Sequence, residues 1–361
     1  MHIPDGYLSP ATCATLYAAS APFWAVALRK VQRLLSTRLV PLLSLFAAFS
    51  FVIMMFNLPL PGGTTGHAVG MGIAAIVLGP WASMLAISVA LLIQAVFFGD
   101  GGITAFGANC FNMAIVGSLV AYWVYRAVAG RSAIASTRRV VAAALAGYLA
   151  INVAALLAAI EFGIQPELFK DASGAPLYAP YPLGVAIPAM MLGHLTIAGL
   201  AELVVSGGVV AYLQRSDPSL LKLTAPGASE VEDGLQSVAK RGGWRAARPL
   251  WLGLAVLMVL TPVGLLAAGT AWGEWAPGQL PPSGSGQDAG GTPAGLAELS
   301  NVWTAPIPDY APTWMKSEAF GYILSALLGA GLIILAFLLV SWIASLARGR
   351  RKTPTPGSEA F

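Results

Sequence analysis

The chain holds three histidines among 361 residues, and two of them have neighbours that add chemistry. His2 directly follows the N-terminal amine. His67 closes a Gly/Thr loop, Pro61-Gly62-Gly63-Thr64-Thr65-Gly66-His67, between two apolar runs. The Met1 amine and the His2 amide nitrogen can close a five-membered ring on a metal ion. That amide and His2 Nδ1 can close a six-membered ring. A second imidazole, from His67, would complete a plane of four nitrogens. Displacing an amide proton takes a metal that binds nitrogen strongly in tetragonal geometry, which suits Ni(II) and Cu(II). Co(II) is weaker but accepts such a site, whereas Mg(II) and Ca(II) prefer oxygen. All four nitrogens must be unprotonated, so affinity is expected to fall in mild acid. Each residue also has a plainer reading. The first residues of a chain are usually frayed, and His67 could be a loop-closing residue bonded to backbone at a helix start.

The chelate requires the amine to belong to Met1. No basic n-region precedes the first apolar run, and Pro4 and Asp5 interrupt the start, so no signal peptide is expected. His2 is too large to favour removal of the initiator methionine. The third histidine, His194, lies within an apolar run eight residues before Glu202, about two helical turns away. Ionisable groups at membrane depth are functional candidates. Here a structural or conformational role is weighed above direct ligation.

The elements that must hold these residues are membrane helices. The chain is 57% hydrophobic and 10% charged, with mean hydropathy +0.73, against about 25% charged residues in soluble domains. Of the 20 Lys and Arg residues, only Lys170 and Lys316 fall outside four clusters, at residues 29–38, 126–139, 215–248 and 348–352. A positive-inside topology accounts for these clusters, and no nucleic-acid partner is implied. Apolar runs predict seven spans: Pro10–Leu28, Leu39–Phe56, a short one at His67–Leu78, Trp81–Phe98, Thr104–Tyr125, Val140–Ile160 and Leu183–Leu213. The short one also fits a re-entrant helix, and the last is long enough to tilt or break near Pro188. A cytoplasmic linker is expected at 216–248. An accessory two-span module is expected at 249–345, with an extracytoplasmic loop at 272–318 and a cytoplasmic tail at 346–361. The topology is N-out and C-in, in the plasma membrane, with lipid as a partner. Small-residue ridges Ala14/Ala18, Ala21/Ala25 and Ala142/Ala146/Ala150 suit helix packing, within the chain or against a partner. Cys13 and Cys110 read as small core residues. The Gly99-Asp100-Gly101-Gly102 loop lacks the Gly-Lys-Ser/Thr end of a Walker A motif, so the chain shows no means of hydrolysing ATP.

Met1-His2-Ile3-Pro4-Asp5-Gly6-Tyr7-Leu8 resembles the N-terminal signature of the CbiM/NikM family, the substrate-binding membrane components of energy-coupling-factor (ECF) transporters for cobalt and nickel. The 57–70 loop with Gly66-His67 is similar to that family's metal loop. Residues 94–104, Gly107-Ala108-Asn109 and Gly193-His194 followed by Gly199 and Glu202 are similar to further family stretches. The resemblance covers about residues 1–215. It implies an all-α polytopic membrane protein: a seven-helix ECF bundle with the N-terminal segment inserted, plus two C-terminal transmembrane helices. It implies a metal held by the Met1 amine, the His2 amide and ring, and the His67 ring, with Asn57, His194 and Glu202 as supporting or gating candidates. Thr270-Ala271-Trp272-Gly273-Glu274-Trp275 and Pro308-Asp309-Tyr310 resemble the family's two-span CbiN/NikN-like accessory component, which aids metal loading.

The expected function is capture of Ni(II) or Co(II) as transported ligand, with no cofactor and no catalysis. The resemblance implies a transmembrane coupling protein (CbiQ/NikQ-like) and a cytoplasmic ATPase (CbiO/NikO-like) as partners. The alternatives are a membrane metal sensor or chaperone and a structural scaffold. Planar nitrogen geometry leans towards nickel.

Overall fold

The structure is a computed structural model that describes residues 1–32, 40–225, 248–280, 291–312 and 314–350. Within these, the apolar runs form helices and the Gly-rich joints form loops. In chain order come α1 (Pro10–Gln32) and α2 (Val40–Met54), then a hairpin of β1 (Leu58–Leu60) and β2 (Thr64–Gly66). Next are α3 (Met71–Leu78), α4 (Pro80–Phe98), α5 (Phe106–Ala129), α6 (Thr137–Gly163) and α7 (Leu183–Ser216). The C-terminal module contributes α8 (Arg248–Leu260), which a 3₁₀ turn extends to Leu266, and α9 (Glu318–Arg350). Seven of these helices are long and apolar enough to cross a membrane; α2, at 15 residues, and α3, at 8, are shorter.

Three boundaries differ from the sequence expectation. The short span starts at Met71, so His67 lies in the loop ahead of it. The long run to Leu213 departs from α-geometry at a π-stretch, His194–Ala198, with Thr196 at φ −104°, ψ −105°, while Pro188 stays within a helix. The expected linker is folded at its start: Asp217 caps a 3₁₀ turn at Pro218–Leu221, and Thr224 Oγ1 donates to the Ile76 carbonyl at 2.5 Å. Residues 226–247 and 351–361, expected as linker and tail, lie outside the described residues.

Every residue of α3 is buried. This short helix lies wholly inside the bundle, and small residues crowd its Gly72. A Cβ on Gly72 would lie 2.2 Å from Ser206 Oγ and 2.7 Å from Gly147 Cα. Such close approach drives helix association where lipid tails are as apolar as the side chains. Ala142, Ala146 and Ala150 are buried within the chain, whereas Ala14, Ala18, Ala21 and Ala25 form an exposed ridge on α1. Cys13 and Cys110 are buried free thiols.

The loops at one end of the bundle lock together. Phe97 O accepts from Ile307 N, Tyr7 O from Ala179 N, and Leu177 O from Leu296 N, each at 3.0 Å. Lys30 and the 126–139 basic cluster sit at the other end, where Lys30 Nζ stands 4.2 Å from the Trp81 ring centroid and Gln214 bonds the Ile134 and Ser136 carbonyls. The N-terminus, the hairpin, the Asp100 loop and the accessory loop therefore share one face.

Candidate metal centre

The chain start is held by backbone recognition. Asn109 Oδ1 accepts from Ile3 N (2.8 Å), and Asn109 Nδ2 donates to Ile3 O (3.1 Å), which also accepts from Gly102 N (2.8 Å). Asp5 Oδ1 accepts from Thr104 N (2.7 Å) and Thr104 Oγ1 (2.5 Å), and Asp5 Oδ2 from Ile103 N (3.1 Å). The approach is so close that a Cβ on Gly102 would sit 2.3 Å from Asp5 N. Ile3, Tyr7 and Leu8 are 0–1% exposed, and each fully buried side chain of that size contributes about 1.5–3 kcal/mol. The first residues are thus docked, and the frayed-terminus reading fails.

The His67 loop is shaped by two devices. Gly62 and Gly63 take φ of 88° and 77° at the hairpin tip, with open space around both, so the turn and not crowding selects glycine. At the other end Glu202 caps α3. Its Oε2 accepts from Val69 N and Gly70 N at 2.8 Å, and its Oε1 from Gly72 N at 3.1 Å. A carboxylate on the orphan N–H groups of a helix start is favoured by both hydrogen bonding and the helix dipole. Glu202 therefore fixes the backbone just after His67. His194 Nδ1 lies 2.8 Å from the Met190 carbonyl, a contact only a protonated ring nitrogen can make.

These supports bring the Met1 amine, His2 and His67 together. The His2 and His67 ring centroids are 5.0 Å apart, tilted by 31°. His67 Nδ1 faces the Ala68 carbonyl at 3.1 Å. That carbonyl can only accept, so the proton sits on Nδ1 and the lone pair is on Nε2. His2 is 1% exposed, and its Nε2 has no hydrogen-bond partner. A buried imidazole left so under-satisfied is rare in a core and fits a ligand position.

The sequence reading missed two acids here. Asp100 Oδ1 lies 2.9 Å from His2 Nδ1, and Glu274 Oε1 accepts from the Met1 amine at 2.8 Å. Asp100 Oδ2 accepts from Tyr310 OH and, at 3.0 Å, from Gln94 Nε2. Glu274 and Tyr310 both come from the accessory loop. A cavity of about 250 Å³ adjoins the centre, lined by Asn57, His67, Asp100, Glu274 and Tyr310 among others. Burial pushes the His67 pKa well below 6.5, and the His2 ring and the amine beside it add to this. Burial alone would raise Asp100, but the adjacent His2 ring outweighs it and holds the carboxyl well below its usual range. His67 is thus neutral and available, and Asp100 is an anion.

The sequence pattern of the "Cobalt uptake substrate-specific transmembrane region" family matches residues 2–220. The chain belongs to that family. A PDGLE domain matches residues 247–346. The fused nickel transport protein NikMN of Rhodobacter capsulatus is 56% identical over 96% of this chain and 99% of its own length. The probable fused nickel transport protein LarMN of Lactiplantibacillus plantarum is 44% identical over 94% of this chain and 96% of its own. A solved transition metal transporter is 52% identical, with a TM-score of 0.56 over 60% of this chain and 94% of that one. This member of the cobalt-uptake family is therefore a multi-pass membrane transport protein, with the family domain and the PDGLE domain joined in one chain.

Proposed function

We propose that this chain is the substrate-capturing membrane component of an ATP-driven ECF importer for Ni(II) or Co(II). The observation that carries the reading is the convergence of the Met1 amine, the under-satisfied His2 ring and the neutral His67 in one buried centre beside a cavity. The metal, as substrate, would take the amine, the His2 amide and Nδ1, and His67 Nε2. Binding releases the protons of the ammonium and the amide to solvent. His2 Nδ1 must then leave Asp100, and the amine must leave Glu274. The basic end faces the cytoplasm under the positive-inside rule, which puts the centre outside and the C-terminus inside. Energy comes from a cytoplasmic ATPase through a membrane coupling protein, for which the exposed α1 ridge of small residues is a suitable face.

The test has two arms. Three glycines added before Met1 move the amine out of chelate reach of His2, and Ni(II) affinity by calorimetry should fall at least about 1,000-fold, or about 4 kcal/mol. Unchanged affinity removes the amine from the site. Radiolabelled nickel should accumulate in cells only when the ATPase partner is active. Binding without accumulation in its presence would make the chain a sensor or chaperone.

A further inference from the structure

The fully nitrogen-ligated centre has a steric problem. His2 and Met1 are 1–3% exposed, while the Asp100 and Glu274 side chains are 17% and 19% exposed. A hydrated metal ion arriving through the cavity meets carboxylates before it meets buried nitrogens. Ligand atoms of His2, Asp100 and Glu274 all lie within 4.8 Å of one another. Ligands held about 2.1 Å from a metal sit roughly 3–4 Å apart, so a small contraction would close this set on one ion. The acids alone would be unremarkable. The second observation is the His2 ring, buried, with Nδ1 facing Asp100 Oδ1 at 2.9 Å and Nε2 without a hydrogen-bond partner.

We propose that His2, Asp100 and Glu274 form a separate first-stage metal site, of mixed nitrogen and oxygen donors, that loads the four-nitrogen site. The proposal rests on the capture function above. It adds a second ligand set with two acids of its own, and it gives the accessory loop a chemical task. Carboxylates exchange ligands with a hydrated ion without any loss of an amide proton. The ion would enter as an aqua complex, exchange waters for Asp100, Glu274 and a His2 ring nitrogen, and keep its remaining waters. In the second stage the amine, the amide and His67 replace the carboxylates, and two protons leave to solvent. Metal charge and oxidation state stay constant throughout. Tyr310 and Gln94, bonded to Asp100 Oδ2, leave Oδ1 as the oxygen facing the metal. Glu274 reaches the centre because its loop is tied to the bundle: Tyr7 OH donates to Trp275 O at 2.7 Å, and Thr65 bridges to Ala271.

Mn(II) isolates the first stage, because it favours oxygen donors and is the weakest of the divalent series at nitrogen. Free aqueous Mn(II) gives a strong electron paramagnetic resonance signal that is lost on binding. Purified full-length protein should quench about one equivalent of that signal. A Glu274→Gln, Asp100→Asn double variant should bind at least about tenfold more weakly. His194→Phe, which lies outside the first-stage ligands, should bind Mn(II) as the parent does. Glu274→Gln should also slow Ni(II) loading in stopped-flow by about tenfold. Absence of Mn(II) quenching, or equal quenching in the double variant, overturns the first-stage site. So does an unchanged loading rate in Glu274→Gln. None of these results bears on the four-nitrogen site, which the three added N-terminal glycines test separately with Ni(II).

Discussion

Two polar groupings stand out in the apolar chain, and their hydrogen bonding differs. At the loop end, His2 is buried with Nε2 unpartnered and Nδ1 against the Asp100 carboxylate, and Glu274 holds the Met1 amine. Within the bundle, Glu202 receives three backbone N–H groups and the Ser206 hydroxyl at 3.4 Å, and His194 bonds its own helix. Both groupings bury ionisable side chains. The second is satisfied and builds the fold, and the first is left under-satisfied. An unsatisfied buried group costs about 1–3 kcal/mol, a cost that metal binding would recover under the proposed function.

The sharpest way to break this contrast is to delete one member of each group. His2→Ala should reduce Ni(II) affinity at least about 1,000-fold, with the melting temperature of the metal-free protein within a few degrees of the parent. Glu202→Ala should do the reverse. It strands three N–H groups, so it should destabilise the fold by about 3 kcal/mol, seen as a lower thermal or urea midpoint. Its metal affinity should fall only as far as the His67 loop loosens. If Glu202→Ala left stability intact while abolishing binding, the division between architecture and site would be wrong.

The next effect is at the docked start of the chain. Gly102→Ala forces a Cβ against the Asp5 backbone and should weaken Ni(II) binding about 10–100-fold, or about 1.4–2.8 kcal/mol. Proteolytic release of the N-terminal segment, absent in the parent, would confirm the cause. Unchanged binding would mean that docking does not position the amine.

A smaller effect is expected on acidification. His67 is held below 6.5 in the fold, so the unfolded chain gains a proton there first as pH falls. The stability this residue contributes is complete above about pH 6.5 and is lost as pH falls through the lower folded value. His67→Gln should therefore lessen the loss of melting temperature between pH 7 and pH 5. An identical loss in the variant would show that His67 is not buried as a neutral ring. The smallest effect belongs to His194→Phe. It replaces a self-satisfied ring and should leave Ni(II) affinity within about threefold of the parent, or about 0.65 kcal/mol. A loss of tenfold or more would put His194 in the site.

Much of this arrangement was legible in the sequence. Apolar run lengths and basic clusters gave the helices and their two ends, and Met1-His2 with His67 gave the nitrogen-rich centre. Asp100 and Glu274 were not found, for physical reasons. Asp100 lies in a Gly-rich loop that reads only as a turn, and Glu274 meets Met1 across 273 residues of sequence. Spacing rules detect ligands along one element and are blind to pairs made by loops from two modules. The π-stretch at His194–Ala198 was equally hidden. Pro188, the obvious breaker, sits within a helix, whereas an i→i+5 bulge has no composition of its own. Glu202 was visible as a buried acid, but its role as the cap of α3 depends on helices brought together by Gly72, Gly147 and Ser206.

Under the proposed function the start of the chain is itself a metal ligand. X-ray absorption at the nickel edge of the loaded full-length protein tests this most directly. A four-coordinate planar ion with only nitrogen donors is expected, converting to a six-coordinate, oxygen-containing ion when three glycines precede Met1. A six-coordinate spectrum with oxygen donors in the parent protein, unchanged by the added glycines, would rule the N-terminal site out.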